Sequence, residues 1–223
     1  MAETIKLAGA DGFEFAAYHE PAMTPRKGGV IVIQEIFGID SHVRADVARW
    51  AKMGYEAIAP SLYDRREPGF TAGHDPDGLK AGIAHAMGTP IEQALGDIAA
   101  CRNFLKTRGQ KVCVVGYCYG GSLAWLSAGK LEGLAASSSY YGSQVQANAG
   151  LKLLCPAIVH LGRTDPGIPA DEVAEAVGAA NPDVPVYIYE GAGHGFNNRS
   201  PERYNAEAAD LARHRTLELF DKA

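Results

Sequence analysis

Apolar residues recur along this chain in two alternating rhythms. Short continuous runs rich in β-branched residues alternate with longer stretches in which apolar positions return every three or four residues. Residues 30–34 (Val-Ile-Val-Ile-Gln) show the pattern of a strand buried on both faces. Residues 55–60, 134–141, 157–161 and 186–189 read as further strands, as does the run Val112-Cys113-Val114-Val115. Helices are expected between them. One covers residues 41–53, with Asp40 as N-cap and Gly54 as the stop. The next opens at Thr89-Pro90-Ile91-Glu92, a capping box with proline at the first helical position, and turns Ile91, Leu95, Ile98 and Phe104 to one face. Others cover residues 123–130, 169–180 and 201–220, the last capped by Ser200 and Pro201. Residues 4–7 and 13–19 flank Gly9-Ala10-Asp11-Gly12 and predict a β-hairpin. Residues 61–88, rich in Gly, Asp and Pro, read as a long loop of the kind that serves as a lid or substrate loop. Strands alternate with helices throughout. The expectation is one α/β domain over residues 1–223, with a mostly parallel, doubly wound central sheet flanked by helices and a short N-terminal β-hairpin.

Composition narrows the partners. The net charge of −5 does not suit a nucleic-acid surface, which needs clustered Lys and Arg. No apolar stretch is long enough to span a bilayer, and Met1-Ala2-Glu3-Thr4-Ile5-Lys6 has no apolar core of a signal peptide. Four cysteines without paired spacing suggest reduced thiols and a cytoplasmic location. No His/Cys cluster has metal-site spacing, and Gly116-x-x-x-Gly120-Gly121 lacks the Lys-Ser/Thr of a phosphate loop, so no metal or organic cofactor is expected.

The segment Lys111 to Ser122 carries the sharpest chemical signal. A β-branched run leads into Gly116-Tyr117-Cys118-Tyr119-Gly120-Gly121, and a helical pattern follows from Leu123. This is the strand–nucleophile–helix turn of an α/β-hydrolase, with cysteine where serine is usual. Glycines on both sides let strand and helix approach closely around a strained nucleophile. Cys113, inside the strand, reads as a buried apolar residue. In this fold the acid and the histidine follow the nucleophile in chain order. Asp165 lies just past the strand 157–161, and His194 lies in Gly191-Ala192-Gly193-His194-Gly195-Phe196, just past the strand 186–189. His194 would take the thiol proton, and Asp165 would hold the imidazole tautomer. Of the other histidines, His160 reads as strand interior and His42 and His214 as helix surface. The oxyanion hole would use the backbone N–H of Tyr119 and of Ile36. Glu35 ends an apolar run and is either a solvated strand-end charge or a buried carboxylate with a partner.

Together these motifs resemble the dienelactone hydrolase family over nearly the whole chain. The resemblance is carried by Gln34-Glu35-Ile36-Phe37-Gly38, the Cys118 segment, Tyr140-Tyr141-Gly142, Gly162-x-x-Asp165 and the His194 segment. It implies Cys118, Asp165 and His194 as a catalytic triad, with Glu35 bonded to the resting thiol and taking its proton once substrate binds. It also implies a pocket containing Phe37 and Tyr141. The family's carboxylate-gripping arginine falls near Leu79, which cannot do that work. Lys80, Arg65 and Arg66 are nearby substitutes, and Arg199 lies near the place of a second family arginine. The implied activity is hydrolysis of small esters or lactones through an acyl-thioester. Other carboxylesterase or thioesterase chemistry and non-catalytic lactone binding are the alternative readings. Monomer and homodimer are both open.

Overall fold

The computed structural model describes residues 1–223. Eight strands run in the order β1-β2-β4-β3-β5-β6-β7-β8, the arrangement of an α/β-hydrolase-like fold. The chain divides into two compact units, residues 1–114 and 115–223, with the border inside β5 (Val112–Tyr117).

In the first unit, β1 (Glu3–Ala8) and β2 (Glu14–Glu20) form the expected antiparallel hairpin, and β2 continues antiparallel onto β4 (Tyr55–Pro60). β3 (Gly28–Ile33) runs parallel to β4, and both are buried along their whole length, β3 as an unbroken apolar run and β4 with one buried charge, Glu56. Helix α1 (Ser41–Lys52) starts where expected, because the Asp40 carboxylate accepts the Val43 N–H at 2.9 Å. His42, expected on the helix surface, is buried. The segment 61–88 is not a continuous loop. Its second half is helix α2 (Pro76–Gly88), capped by Asp75 with proline in the first turn. Its glycines hid the helix from periodicity, yet they have a packing reason. A side chain at Gly82 would press on the Ile36 carbonyl at 2.6 Å, and one at Gly78 would strike the Gly73 carbonyl. The first half is pinned by Asp64, whose carboxylate accepts from Ala16 N–H, Gly69 N–H and the Ser61 hydroxyl.

Helix α3 (Ile91–Lys106) does not open with a capping box. Pro90 holds the N-cap position, and the Thr89 hydroxyl instead donates to the His85 carbonyl of α2 at 2.8 Å. The buried face is Ala94, Leu95, Ile98, Cys101 and Leu105, with Ile91 left exposed. Asp97 is fully buried on this helix and pairs with Arg65. Burial outweighs that arginine and lifts the Asp97 carboxyl to about 6.

In the second unit, β6 (Ala136–Tyr140), β7 (Ala157–Gly162) and β8 (Val186–Tyr189) are parallel neighbours. Helix α4 (Tyr119–Lys130) begins four residues before the expected Leu123, directly after Cys118. Helix α5 (Ala170–Ala180) matches its pattern. Helix α6 (Ala206–Lys222) starts later than Pro201, because Asn205 is the cap and accepts the Ala208 N–H at 3.0 Å. All four cysteines are free thiols, and no helix is long and apolar enough to cross a membrane.

The start of α6 gives a direct test. Asn205→Ala should cost about 1 kcal/mol in urea denaturation, the usual loss for an N-cap. Ser200→Ala should stay within about 0.5 kcal/mol of the parent.

Candidate active site

Cys118 stands between β5 and α4 at φ 56° and ψ −114°. A non-glycine residue in this region costs about 1–3 kcal/mol and persists only where its surroundings dictate it. Here the Cys118 N–H donates to the Tyr140 carbonyl at 3.0 Å, and its carbonyl accepts the Ser122 N–H at 3.1 Å. The glycines around it are needed for contact between main chains. A side chain at Gly116 would strike the Gly120 carbonyl, and one at Gly121 would strike the Tyr140 carbonyl. The thiol is half-buried at the N-terminal end of α4. Tyr119 is the first residue of that helix, so its N–H belongs to the turn whose amides point out of the helix end. Burial pushes the Tyr119 phenol up to about 12, so its ring stays neutral.

Asp165 and His194 arrive on the turns after β7 and β8. These turns are tied together, since Thr164 N–H and hydroxyl both donate to the Ala192 carbonyl, at 2.9 and 3.0 Å. Gly162 permits the approach, because a side chain there would meet the Ala192 carbonyl at 2.5 Å. His194 Nδ1 lies 2.7 Å from one Asp165 oxygen. The other Asp165 oxygen accepts the Gly167 N–H at 2.9 Å, which fixes the carboxylate's orientation. The imidazole also hydrogen-bonds the Cys118 sulfur. Burial lowers the proton affinity of His194, but the bonds to Asp165 and Cys118 outweigh it and lift the imidazole to about 10. The second unit therefore brings Cys118, His194 and Asp165 into one hydrogen-bonded series. Such a series can move a proton from sulfur to nitrogen and stabilise the imidazolium that results.

Tyr141 joins this group. It is fully buried, adopts φ 38°, and its ring centre lies 5.1 Å from that of His194. Arg199 is exposed nearby in sequence, with its guanidinium 5.7 Å from the Tyr204 ring.

The remaining candidates belong to the first unit. Glu35 follows β3 and is 3% exposed, so it is a buried carboxylate and not a solvated strand end. Gln34 beside it accepts the Leu62 N–H at 3.4 Å. Ile36 and Phe37 continue the turn, which ends at Gly38 with φ 76°. Phe37 is buried and stacks on His74 at 4.0 Å, and His74 bonds the N-cap Asp40 at 2.8 Å. Lys80 is exposed on α2. Arg65 and Arg66 do not suit substrate binding. Arg65 is committed to Asp97 and Asp11, and Arg66 donates to the Gly88 carbonyl at the end of α2. Their place near Leu79 drew attention to these two arginines, and only the fold shows the partners that occupy them.

Sheet order and the turn at Cys118 define an α/β-hydrolase. The dienelactone hydrolase family profile matches residues 15–223, and the chain belongs to that family. It is 34% identical over 231 residues to the carboxymethylenebutenolidase of Pseudomonas putida, covering 99% of this chain and 96% of the relative. A Synechocystis protein provisionally assigned the same activity is 33% identical over 218 residues, covering 90% and 88% of the two chains. The crystal structure of a Klebsiella pneumoniae protein, provisionally assigned as a dienelactone hydrolase, superposes with a TM-score of 0.86. It is 29% identical and matches 100% of this chain and 99% of its own. The chain is thus a hydrolase of ester or lactone bonds.

Because His194 binds its proton more tightly when folded, the charged imidazole stabilises the fold fully below pH 6.5. That contribution fades as pH rises through about 10. Asp165→Asn should lower the His194 titration midpoint, read by NMR of the imidazole, and shift the loss of stability to lower pH. A midpoint still near 10 would remove Asp165 as the cause.

Proposed function

We propose that this protein hydrolyses small esters or lactones by acyl transfer to Cys118. The observation that carries the reading is the hydrogen-bonded series Asp165–His194–Cys118, with the cysteine held at positive φ by glycine-lined contacts. As substrate binds, the thiol proton passes to Glu35, and sulfur attacks the carbonyl carbon beside the protonated His194. The carbonyl oxygen becomes an oxyanion, met by the N–H groups of Tyr119 and Ile36. Collapse breaks the bond to the leaving oxygen, which takes the proton from His194. Water then loses a proton to His194 and attacks the thioester, releasing the acid and a thiolate that regains its proton from Glu35. For a lactone, the freed oxygen remains tethered to the acyl group, which favours substrates whose leaving group is a stabilised enolate.

Glu35 is assigned a part in thiol activation, on its burial and on the family resemblance. It would hold the resting thiol neutral and accept its proton once substrate binds, a state less prone to oxidation than a standing thiolate. Phe37 and Tyr141 would line the acyl pocket. Lys80 and Arg199 are the exposed cations left to meet a substrate carboxylate, so dienelactone itself is one candidate among activated lactones and aryl esters. The cysteine chemistry suits a reducing, cytoplasmic setting.

A turnover panel of dienelactones, aryl esters, simple lactones and thioesters tests the reading. Cys118→Ala should lose about a thousandfold or more in kcat/KM, and a slow substrate should leave an acyl mass on Cys118 of the parent protein. Glu35→Gln should slow acylation about tenfold or more while the thermal transition stays intact. Undiminished turnover in Cys118→Ala would end the proposal. Undiminished turnover in Glu35→Gln would remove that residue alone.

A further inference from the structure

A buried polar cluster lies across β6, β7, β8 and α6. Thr216 on α6 is completely buried, and its hydroxyl meets three side chains: Ser138 Oγ at 2.9 Å, Tyr140 Oη at 2.9 Å and His160 Nε2 at 3.0 Å. His160 Nδ1 meets Tyr189 Oη at 2.8 Å, and Arg215 donates to that phenol at 3.2 Å. One hydroxyl thus joins side chains from two strands directly and from a third through His160. The Tyr140 carbonyl receives the Cys118 N–H, the Tyr141 N–H donates to the His160 carbonyl at 2.8 Å, and the Ala192 N–H donates to the Tyr189 carbonyl at 3.3 Å.

The directions of these bonds follow from the groups. Arginine can only donate. Tyr189 accepts from Arg215, and the arrangement that leaves no buried donor unused has it give its own proton to His160 Nδ1. His160 then carries its proton on Nε2 and donates to Thr216. A threonine hydroxyl has one proton and two lone pairs. It accepts from His160 and from one of Ser138 and Tyr140, and donates to the other, so its capacity is filled. Burial, with the nearby Arg215 charge, pushes the His160 imidazole down to about 3, which keeps it neutral. Removing one member leaves several desolvated groups unmatched, which costs more than a single bond.

We propose that Thr216 is a positioning residue. Its hydroxyl locks the ends of β6, β7 and β8 so that the turns carrying Cys118, Asp165 and His194 keep their mutual geometry. This rests on the assignment of Cys118 as nucleophile. The lock acts on chemistry more than on binding, because it sets distances between reacting groups and touches no substrate.

Thr216→Val keeps the shape and deletes the hydroxyl. At a temperature well below its unfolding transition, kcat should fall about tenfold with KM within about twofold, and the His194 titration midpoint should move. Thr216→Ser should restore both. Tyr189→Phe, a milder cut should the valine variant not fold, should lower kcat in the same direction. Nitrogen NMR of the parent should show His160 protonated on Nε2. A Thr216→Val protein with a lower transition temperature but unchanged kcat and His194 midpoint would overturn the proposal, as would His160 protonated on Nδ1. Loss of the nucleophile assignment shows separately, as persistent turnover in Cys118→Ala.

Discussion

A single backbone conformation governs this molecule: Cys118 at φ 56° between a strand and a helix. An L-residue adopts it at a cost, so neighbouring main chain must repay that cost with close contact and hydrogen bonds. The need for space selects glycine at 116 and 121. The need for an acceptor makes the end of β6, at Tyr140, part of the turn. Helix α4 must then begin immediately, which puts the Tyr119 N–H and the positive end of the helix beside the sulfur. The same strain that fixes the thiol also fixes where an oxyanion would find donors.

Several buried polar groups in this fold are held by matched partners. Glu56 illustrates the pattern: burial raises its carboxyl, yet His19, Arg26 and Arg108 together hold it below the usual carboxylate range. Asp64 accepts three bonds and thereby anchors the segment that leads to α2. Such groups stabilise only when complete, so they specify one arrangement of loops more sharply than apolar packing does. His194 follows the same logic, with the difference that its partners include a thiol. In the proposed reaction the same matched charge would serve proton transfer.

Much of this was legible from the residues. The alternation of β-branched runs with helical periods located the strands because a strand buried on both faces has no polar alternative. The hairpin and α1 were legible because glycines and an Asp cap act locally. Cys118, Asp165 and His194 could be picked out from their order and their places beyond strand ends, and the second unit does bring them together. Local rules failed where packing competed with them. α2 was hidden by glycines that serve contact with Ile36 and Gly73. Thr89 left the expected capping box for the His85 carbonyl, and α6 waited for Asn205. His42, placed on a surface by its period, is covered by its neighbours.

Sequence by itself determined the order of the strands, the family and the candidate reacting side chains, because backbone conformation and chain order are written in short segments. Tertiary structure alone decided which polar groups are committed elsewhere. It tied Arg65 to Asp11 and Asp97, buried Glu35, and joined Ser138, Tyr140 and His160 on one threonine hydroxyl. Partners that lie many residues apart leave no local pattern. Burial, which depends on every neighbour at once, sets both their strength and the cost of their loss.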